Sequence, residues 1–177
     1  FRSKIILTLL DYLLLEQKKK LLTGYLITMY IKISLGSDHA GFEMKQQIKE
    51  YLNSITNHKL EINDWGCYSE DRVDYPDFAH KVANDITDGK SDIGILVCGS
   101  GNGISMAANK WEGIRCALCW ESEISKMARL HNDANILALP GRYISLEEAI
   151  NCVDEFLNTE FEGGRHKERV EKISKNF

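Results

Sequence analysis

A single cysteine between an apolar run and a glycine-alternating loop carries the most chemistry in this chain. Asp92-Ile93-Gly94-Ile95-Leu96-Val97-Cys98 ends in a thiol, and Gly99, Gly101 and Gly103 follow at alternate positions around Ser100 and Asn102. Ile93 to Val97 reads as a strand buried on both faces. Glycines placed this way let backbone N–H groups turn inward and approach a ligand closely. Ile104 to Lys110 then reads as a helix. A thiol at a strand's carboxyl end, a ring of amides and a helix start make an electropositive pocket, suited to a thiol base and to a transient anion. Simpler readings fit the same residues. Cys98 also suits a small core position at a strand end, and the glycines a tight strand-to-helix turn or a phosphate cradle. Their spacing is not the dinucleotide fingerprint, and no Walker lysine follows.

Other polar groups could join this pocket. Ser37-Asp38-His39 follows an apolar run and fits either a turn or a binding loop. His131 fits either a helix-end cation or an acid catalyst. Arg165 and Arg169 stand four apart on one helix face. Lys167, Glu168, Glu171 and Lys172 around them fit a solvated face, whereas the Gly163-Gly164 break before them and His166 between them fit a phosphate grip.

The elements that must position these groups read in order. Tyr30 to Leu35 is a strand, followed by a helix with Phe42, Ile48, Leu52 and Ile55 on one face. Lys59 to Asn63 is a second strand, and Asp64 to Asp74 a polar loop. Pro76 suits a helix's first turn; Ala79, Val82, Ala83 and Ile86 form its stripe, and Gly89 ends it. The Ile93 strand is third and Ile114 to Cys119 fourth. Glu121 to Leu130 is a helix with Ile124, Met127 and Ala128 inward, and Asn135 to Leu139 is the fifth strand. Ser145 and Glu148 form a capping box ahead of Leu146, Ala149, Ile150, Val153 and Leu157. A last helix spans Arg165 to Ile173. Strands alternating with helices specify an α/β sandwich around a parallel sheet. Its ligands bind beyond the strand carboxyl ends. The segments Ser37-Asp38-His39, Asp64 to Tyr75, Cys98 to Gly103 and Pro140-Gly141-Arg142 fall there. By chain order His131-Asn132-Asp133 belongs to the opposite edge.

Composition narrows the class further. A chain of 177 residues suffices for one domain with a core. Hydrophobic content of 44% and charge of 27% are ordinary for a soluble protein. A net charge of −4 gives no field for nucleic acid. The 5 cysteines form no disulfide framework, so a reducing, cytoplasmic setting is expected. Cys116 and Cys119 make a C-x-x-C inside a strand, where an odd offset sends the thiols to opposite faces. No second pair stands at zinc spacing, so no zinc is expected. Residues 1–28 read as an extension, either an upstream translation artefact or a weak helix, ahead of a domain at 29–177. Ile5 to Leu15 is broken by Asp11 and too short for a bilayer, so no membrane role is expected.

Seven segments taken together resemble one family. Gly36-Ser37-Asp38-His39-Ala40-Gly41-Phe42, Asp74-Tyr75-Pro76-Asp77, Cys98 to Gly103, Ala107-Ala108-Asn109-Lys110, Gly113-Ile114-Arg115, His131 to Asn135 and Gly163 to Val170 look like the signatures of type B ribose-5-phosphate isomerase, in that family's order. The resemblance covers about residues 29–177. It implies a three-layer Rossmann-like α/β/α sandwich with a five-stranded parallel sheet, and a homodimer whose C-terminal helix reaches into the partner's site.

The same resemblance implies roles. The reaction would interconvert D-ribose 5-phosphate and D-ribulose 5-phosphate through a cis-enediolate, as in the pentose phosphate pathway. Cys98 matches the base, and amides from Gly99, Gly101, Asn102 and Gly103 would stabilise the enediolate oxygen, with Ser100 hydrogen-bonding. His131 matches the residue that opens the furanose ring. Asp38, Tyr75 and Asn132 match positions holding sugar hydroxyls or the ring oxygen. His39, Arg142, Arg165 and Arg169 match phosphate contacts. No metal and no cofactor are implied. Part of the family lacks the cysteine and carries a glutamate base after the last glycine; here that position is Ile104, which favours the cysteine mechanism. Ser100 replaces a threonine common among cysteine members and keeps the hydroxyl. The alternatives are an allose- or galactose-6-phosphate isomerase of the same family and a non-catalytic phosphosugar-binding protein.

Overall fold

A computed structural model describes residues 30–173, so the extension expected over 1–28 lies outside the described residues. Five strands, β1 (Tyr30–Ser37), β2 (Lys59–Asp64), β3 (Ile93–Cys98), β4 (Cys116–Leu118) and β5 (Ile136–Pro140), form one parallel sheet in the order β2-β1-β3-β5-β4. Six helices join or follow them: α1 (Phe42–Ser54), α2 (Tyr75–Thr87), α3 (Asn102–Ala108), α4 (Ser122–Asn132), α5 (Leu146–Asn158) and α6 (Arg165–Ile173).

The two faces of the sheet bury separate sets of side chains. Ile33, Leu35, Ile95, Val97, Leu137 and Leu139 pack with Ile48 and Leu52 of α1, Ala128 of α4, and Val153 and Phe156 of α5. On the other face Leu96, Cys98, Ile136 and Ala138 meet Ala79, Val82 and Ala83 of α2 and Ile104 and Ala108 of α3. The α/β/α layering expected from the alternating pattern is therefore present. Successive β3 residues alternate between the layers, as strand geometry requires, and this aims Cys98 at the α2–α3 side. Cys116 and Cys119 likewise lie in opposite layers.

Several boundaries differ from the sequence reading for local reasons. β1 runs on to Ser37 because Ser37 pairs in register with Val97 and its N–H reaches Gly66 O. β4 is confined to Cys116–Leu118: Ile114 N–H turns back to Trp111 O, and Arg115 N–H goes to the Asn135 side chain. α3 starts at Asn102 rather than Ile104, its first turn closed by Ser105 N–H to Gly101 O. In α4 the inward position belongs to Ser125, whose hydroxyl donates to Cys152 O in α5 at 2.7 Å. Ile124, expected inward, is 37% exposed, and Met127 is only half-buried.

Two buried carboxylates hold the β1–β2 end of the sheet. Asp85 of α2 accepts from Ser34 Oγ, Asn63 Nδ2 and Trp65 Nε1. Asp64 accepts from Lys45 Nζ (2.7 Å), Lys49 Nζ (2.8 Å) and Gly66 N–H (3.0 Å). Lys45 is fully buried, its ammonium also facing the Phe42 and Tyr68 rings. Burial by itself pushes the Asp64 carboxyl up, and the two lysines and the amide outweigh it, holding the group below the usual carboxylate range.

Candidate active site

Strand order reverses between β1 and β3: the chain leaves β1 for β2 on one side and returns to β3 on the other. The loops after two such strands part, and the gap outside their carboxyl ends is where open α/β sheets take ligands. Asp38 and His39 leave β1 there, and Cys98 ends β3 beside them.

The turn after β1 is drawn tight against β3. Asp38 N–H reaches Val97 O, and the Asp38 carboxylate, itself buried, accepts Gly41 N–H at 3.0 Å. A Cβ on Gly41 would stand 2.4 Å from Val97 O, so only glycine closes this turn. His39 Nδ1 sits 3.2 Å from Val73 O and 3.3 Å from Val73 N, which ties β1 to the loop leading into α2.

Cys98 is 4% exposed, and the amide of Gly101 points at its sulfur, N to Sγ 3.2 Å. That amide is aimed by a left-handed Gly101 (φ 73°) whose missing Cβ would stand 2.3 Å from Leu118 Cδ1. The loop after β5 closes over Cys98 from the other side, with Gly141 N–H donating to Cys98 O at 2.9 Å and Arg142 N–H to Gly99 O at 3.0 Å. Gly103 lies flat under the Tyr75 ring, where a Cβ would come 2.6 Å from Cζ. The loop therefore divides two openings. One, of about 530 Å³, is bounded by His39, Ala40, Gly141 and Arg142 and walled by Glu43 and Gln47 of α1. The other, about 510 Å³, is bounded by Ser100, Asn102, Trp120 and Tyr143.

Asp38, His39, Tyr75, Cys98, Gly99, Ser100, Gly101, Asn102, Gly103 and Arg142 thus converge on the carboxyl ends of β1, β3 and β5. The remaining candidates do not. His131, in the last turn of α4, stacks on His166 of α6 with ring centres 4.2 Å apart and planes 5° from parallel, and faces Glu162. Asn132 is exposed beside it and borders a groove with Asn109 and Arg115. Arg165 and Arg169 are exposed on α6. His166 is buried and its pKa is held below the usual histidine range, by desolvation first and then by His131 and Arg165 beside it. Glu43, Gln47 and the Glu162–His166 pairing were not singled out from the sequence. Glu43 and Gln47 share a helix face opening from β1, and Glu162 and His166 carry the same four-residue spacing, which is the signal that could have found them.

What this arrangement offers chemically is an imidazole and a guanidinium at one opening, suited to an anion, and in the neighbouring loop a thiol partnered by an amide. Among the described residues no helix is long and apolar enough to cross a membrane. The model of the ribose/galactose isomerase family matches residues 33–173. Ribose-5-phosphate isomerase B of Escherichia coli K12 is 45% identical over 143 residues, covering 81% of this chain and 94% of that protein. A ribose 5-phosphate isomerase crystal structure from Thermotoga maritima superposes with a TM-score of 0.78 at 51% identity, covering 81% of this chain and 97% of the other. The Mycoplasma genitalium ribose-5-phosphate isomerase B with bound ribulose-5-phosphate gives 0.75 at 40% identity, with 81% and 93% covered.

Proposed function

This chain belongs to the ribose/galactose isomerase family, and from that premise we propose that it interconverts D-ribose 5-phosphate and D-ribulose 5-phosphate with Cys98 as the base. The observation that carries the reading is the Cys98 sulfur under the Gly101 amide, beside a cleft edged by His39 and Arg142. The thiolate takes the proton from C2, leaving its electron pair in an enediolate. The thiol returns that proton to C1 while a hydroxyl proton moves between the two oxygens, so no electron leaves the substrate. N–H groups from Gly99 to Gly103 and the Ser100 hydroxyl face the developing oxyanion, the interaction that strengthens most in the transition state. Asp38, Tyr75 and Asn132 hold the sugar oxygens. His131 opens the furanose ring. His39, Arg142, Arg165 and Arg169 hold the phosphate. A cytoplasmic setting belongs to the same reading, in keeping with five free thiols.

The test of substrate is a panel of ribose 5-phosphate, allose 6-phosphate and galactose 6-phosphate. The highest kcat/KM is expected for ribose 5-phosphate; turnover of a hexose phosphate alone would move the assignment within the family, and turnover of none would leave a binding protein.

His131, Asn132, Arg165 and Arg169 complete the site as contributions from a second copy of the chain in a homodimer. The support is their placement: they cluster at the α4–α6 corner, away from Cys98 within one chain. Mixing an inactive Cys98→Ala dimer with an inactive Arg165→Ala/Arg169→Ala dimer under subunit exchange tests this. Each heterodimer then holds one intact site and one doubly damaged site, so about a quarter of wild-type activity returns. If each chain used its own arginines, no activity would return, with exchange verified by mass spectrometry.

A further inference from the structure

The corner that carries His131 has a chemistry of its own. Glu162 Oε2 stands 3.6 Å from His131 Nε2 and 3.6 Å from His166 Nε2. That is too long for a hydrogen bond, and close to the separation of roughly 3.3 Å between two ligand atoms at ~2.0 Å from a tetrahedral ion. One nitrogen from each ring and the carboxylate oxygen all lie within 4.8 Å of one another. The rings stack 5° from parallel, so the half-buried His131 ring must turn about its side-chain bonds to bring its in-plane lone pair onto an ion held by His166. Backbone bonds hold the three in place: Glu162 N–H donates to Leu130 O at 3.0 Å, and His166 N–H to Gly163 O at 3.0 Å. His166 is 5% exposed and anchors the set, while the Glu162 side chain is 56% exposed and free to swing inward.

We propose that His131, Glu162 and His166 form a site for one divalent transition-metal ion, zinc by its ligand chemistry, and that the ion switches isomerisation off. Two imidazoles and a carboxylate suit zinc rather than magnesium or calcium, which take oxygen ligands. The exposed side of the cluster leaves a fourth position for water. Arg165 Nε now donates to His166 Nε2 at 3.3 Å and gives way when the ion takes that lone pair. Arg165 and Arg169 oppose a cation at this corner electrostatically, which limits affinity and makes the site responsive rather than permanently filled. The inhibitory half rests on the ring-opening role proposed for His131: a metal on its Nε2 removes the lone pair that proton transfer needs.

The metal-stripped full chain is titrated with Zn²⁺ by calorimetry and with Co²⁺ by visible absorption, alongside isomerisation of ribose 5-phosphate. One ion per chain is expected, with the absorption of a tetrahedral nitrogen–oxygen site and no sulfur-to-metal band. Turnover should fall in proportion as that equivalent binds, and return with a chelator. Glu162→Gln should isomerise normally without metal, bind at least ~10–100-fold more weakly, and resist zinc that stops the wild type. Cys98→Ala should still bind its equivalent. No stoichiometric binding, a sulfur-to-metal band, or undiminished binding by Glu162→Gln overturns the site. Binding without inhibition overturns the switch. Metal binding as expected in a chain that turns over no ribose 5-phosphate leaves the site standing and removes the isomerase reading instead.

Discussion

Cys98→Ala is expected to lower kcat for ribose 5-phosphate by ~10²–10⁴-fold, the range that a positioned general base supplies, with binding of the phosphosugar retained. The substitution removes only the sulfur. The turn after β1, the Gly141 and Arg142 backbone bonds and the His39–Arg142 cleft do not depend on it. Binding and chemistry should therefore separate, kcat falling and the substrate's dissociation constant staying within a few-fold. Alkylation gives an independent readout. Burial pushes the Cys119 and Cys152 thiols up to about 12 and raises Cys116 further, so these three resist an electrophile at neutral pH. Iodoacetamide should modify Cys98 ahead of them, more slowly with substrate present, and abolish turnover in step. An alanine variant with near-normal kcat would remove Cys98 from the mechanism.

Asp64→Ala is expected to cost about 3–5 kcal/mol of folding stability, the usual penalty for leaving one member of a buried ion pair alone. Lys45 has 0% side-chain exposure and no second carboxylate among its ion pairs in the described residues. Lys49, at 37%, can turn to water, so Lys49→Ala should cost under about 1 kcal/mol. Urea unfolding of the three proteins at neutral pH checks the contrast. The acid dependence has a definite sign. The folded carboxyl is held below its unfolded value. Its contribution is therefore fully present above the unfolded carboxylate value of ~3.9 and is lost as pH falls through the folded one. The gap between wild type and Asp64→Ala should narrow over that window. A gap that stays constant to low pH would show the pair contributes by packing alone.

Sheet and cysteine loop were readable in the chain because both are local. Ile93 to Val97 is apolar throughout, the β3 loop alternates glycine with small polar residues, and helix stripes separate the strands, so period and punctuation agree. Ile124 reads as core because it is an apolar residue at helical spacing, whereas a serine hydroxyl bonded to Cys152 O occupies the inward position. β4 is shorter than its side chains suggest because Ile114 and Arg115 spend their amides on a turn and on Asn135. The buried Lys45–Asp64 pair was invisible, since a lysine in an amphipathic helix reads as solvated until a partner 19 positions away is brought beneath it. For the same reason the pairing of Glu162 with His166 gains meaning only when folding carries His131 onto it.

The capping box at Ser145 does more than start one helix. Ser145 Oγ accepts Glu148 N–H in the expected way, but the Glu148 carboxylate, instead of folding back on its own helix, accepts the N–H of Ser122 at the head of α4. Two side chains of one motif thereby close the first turns of two neighbouring helices, the Ser145 hydroxyl that of α5 and the Glu148 carboxylate that of α4, which has no side-chain cap of its own at Glu121. The first turn of α4 cannot fray without giving up its bond to α5, so in amide hydrogen exchange the two helices open as a single unit rather than one after the other. Because α4 carries His131 at its far end, the rigidity of that histidine is underwritten by a carboxylate on a different helix, and local melting of α5 would loosen it from a distance.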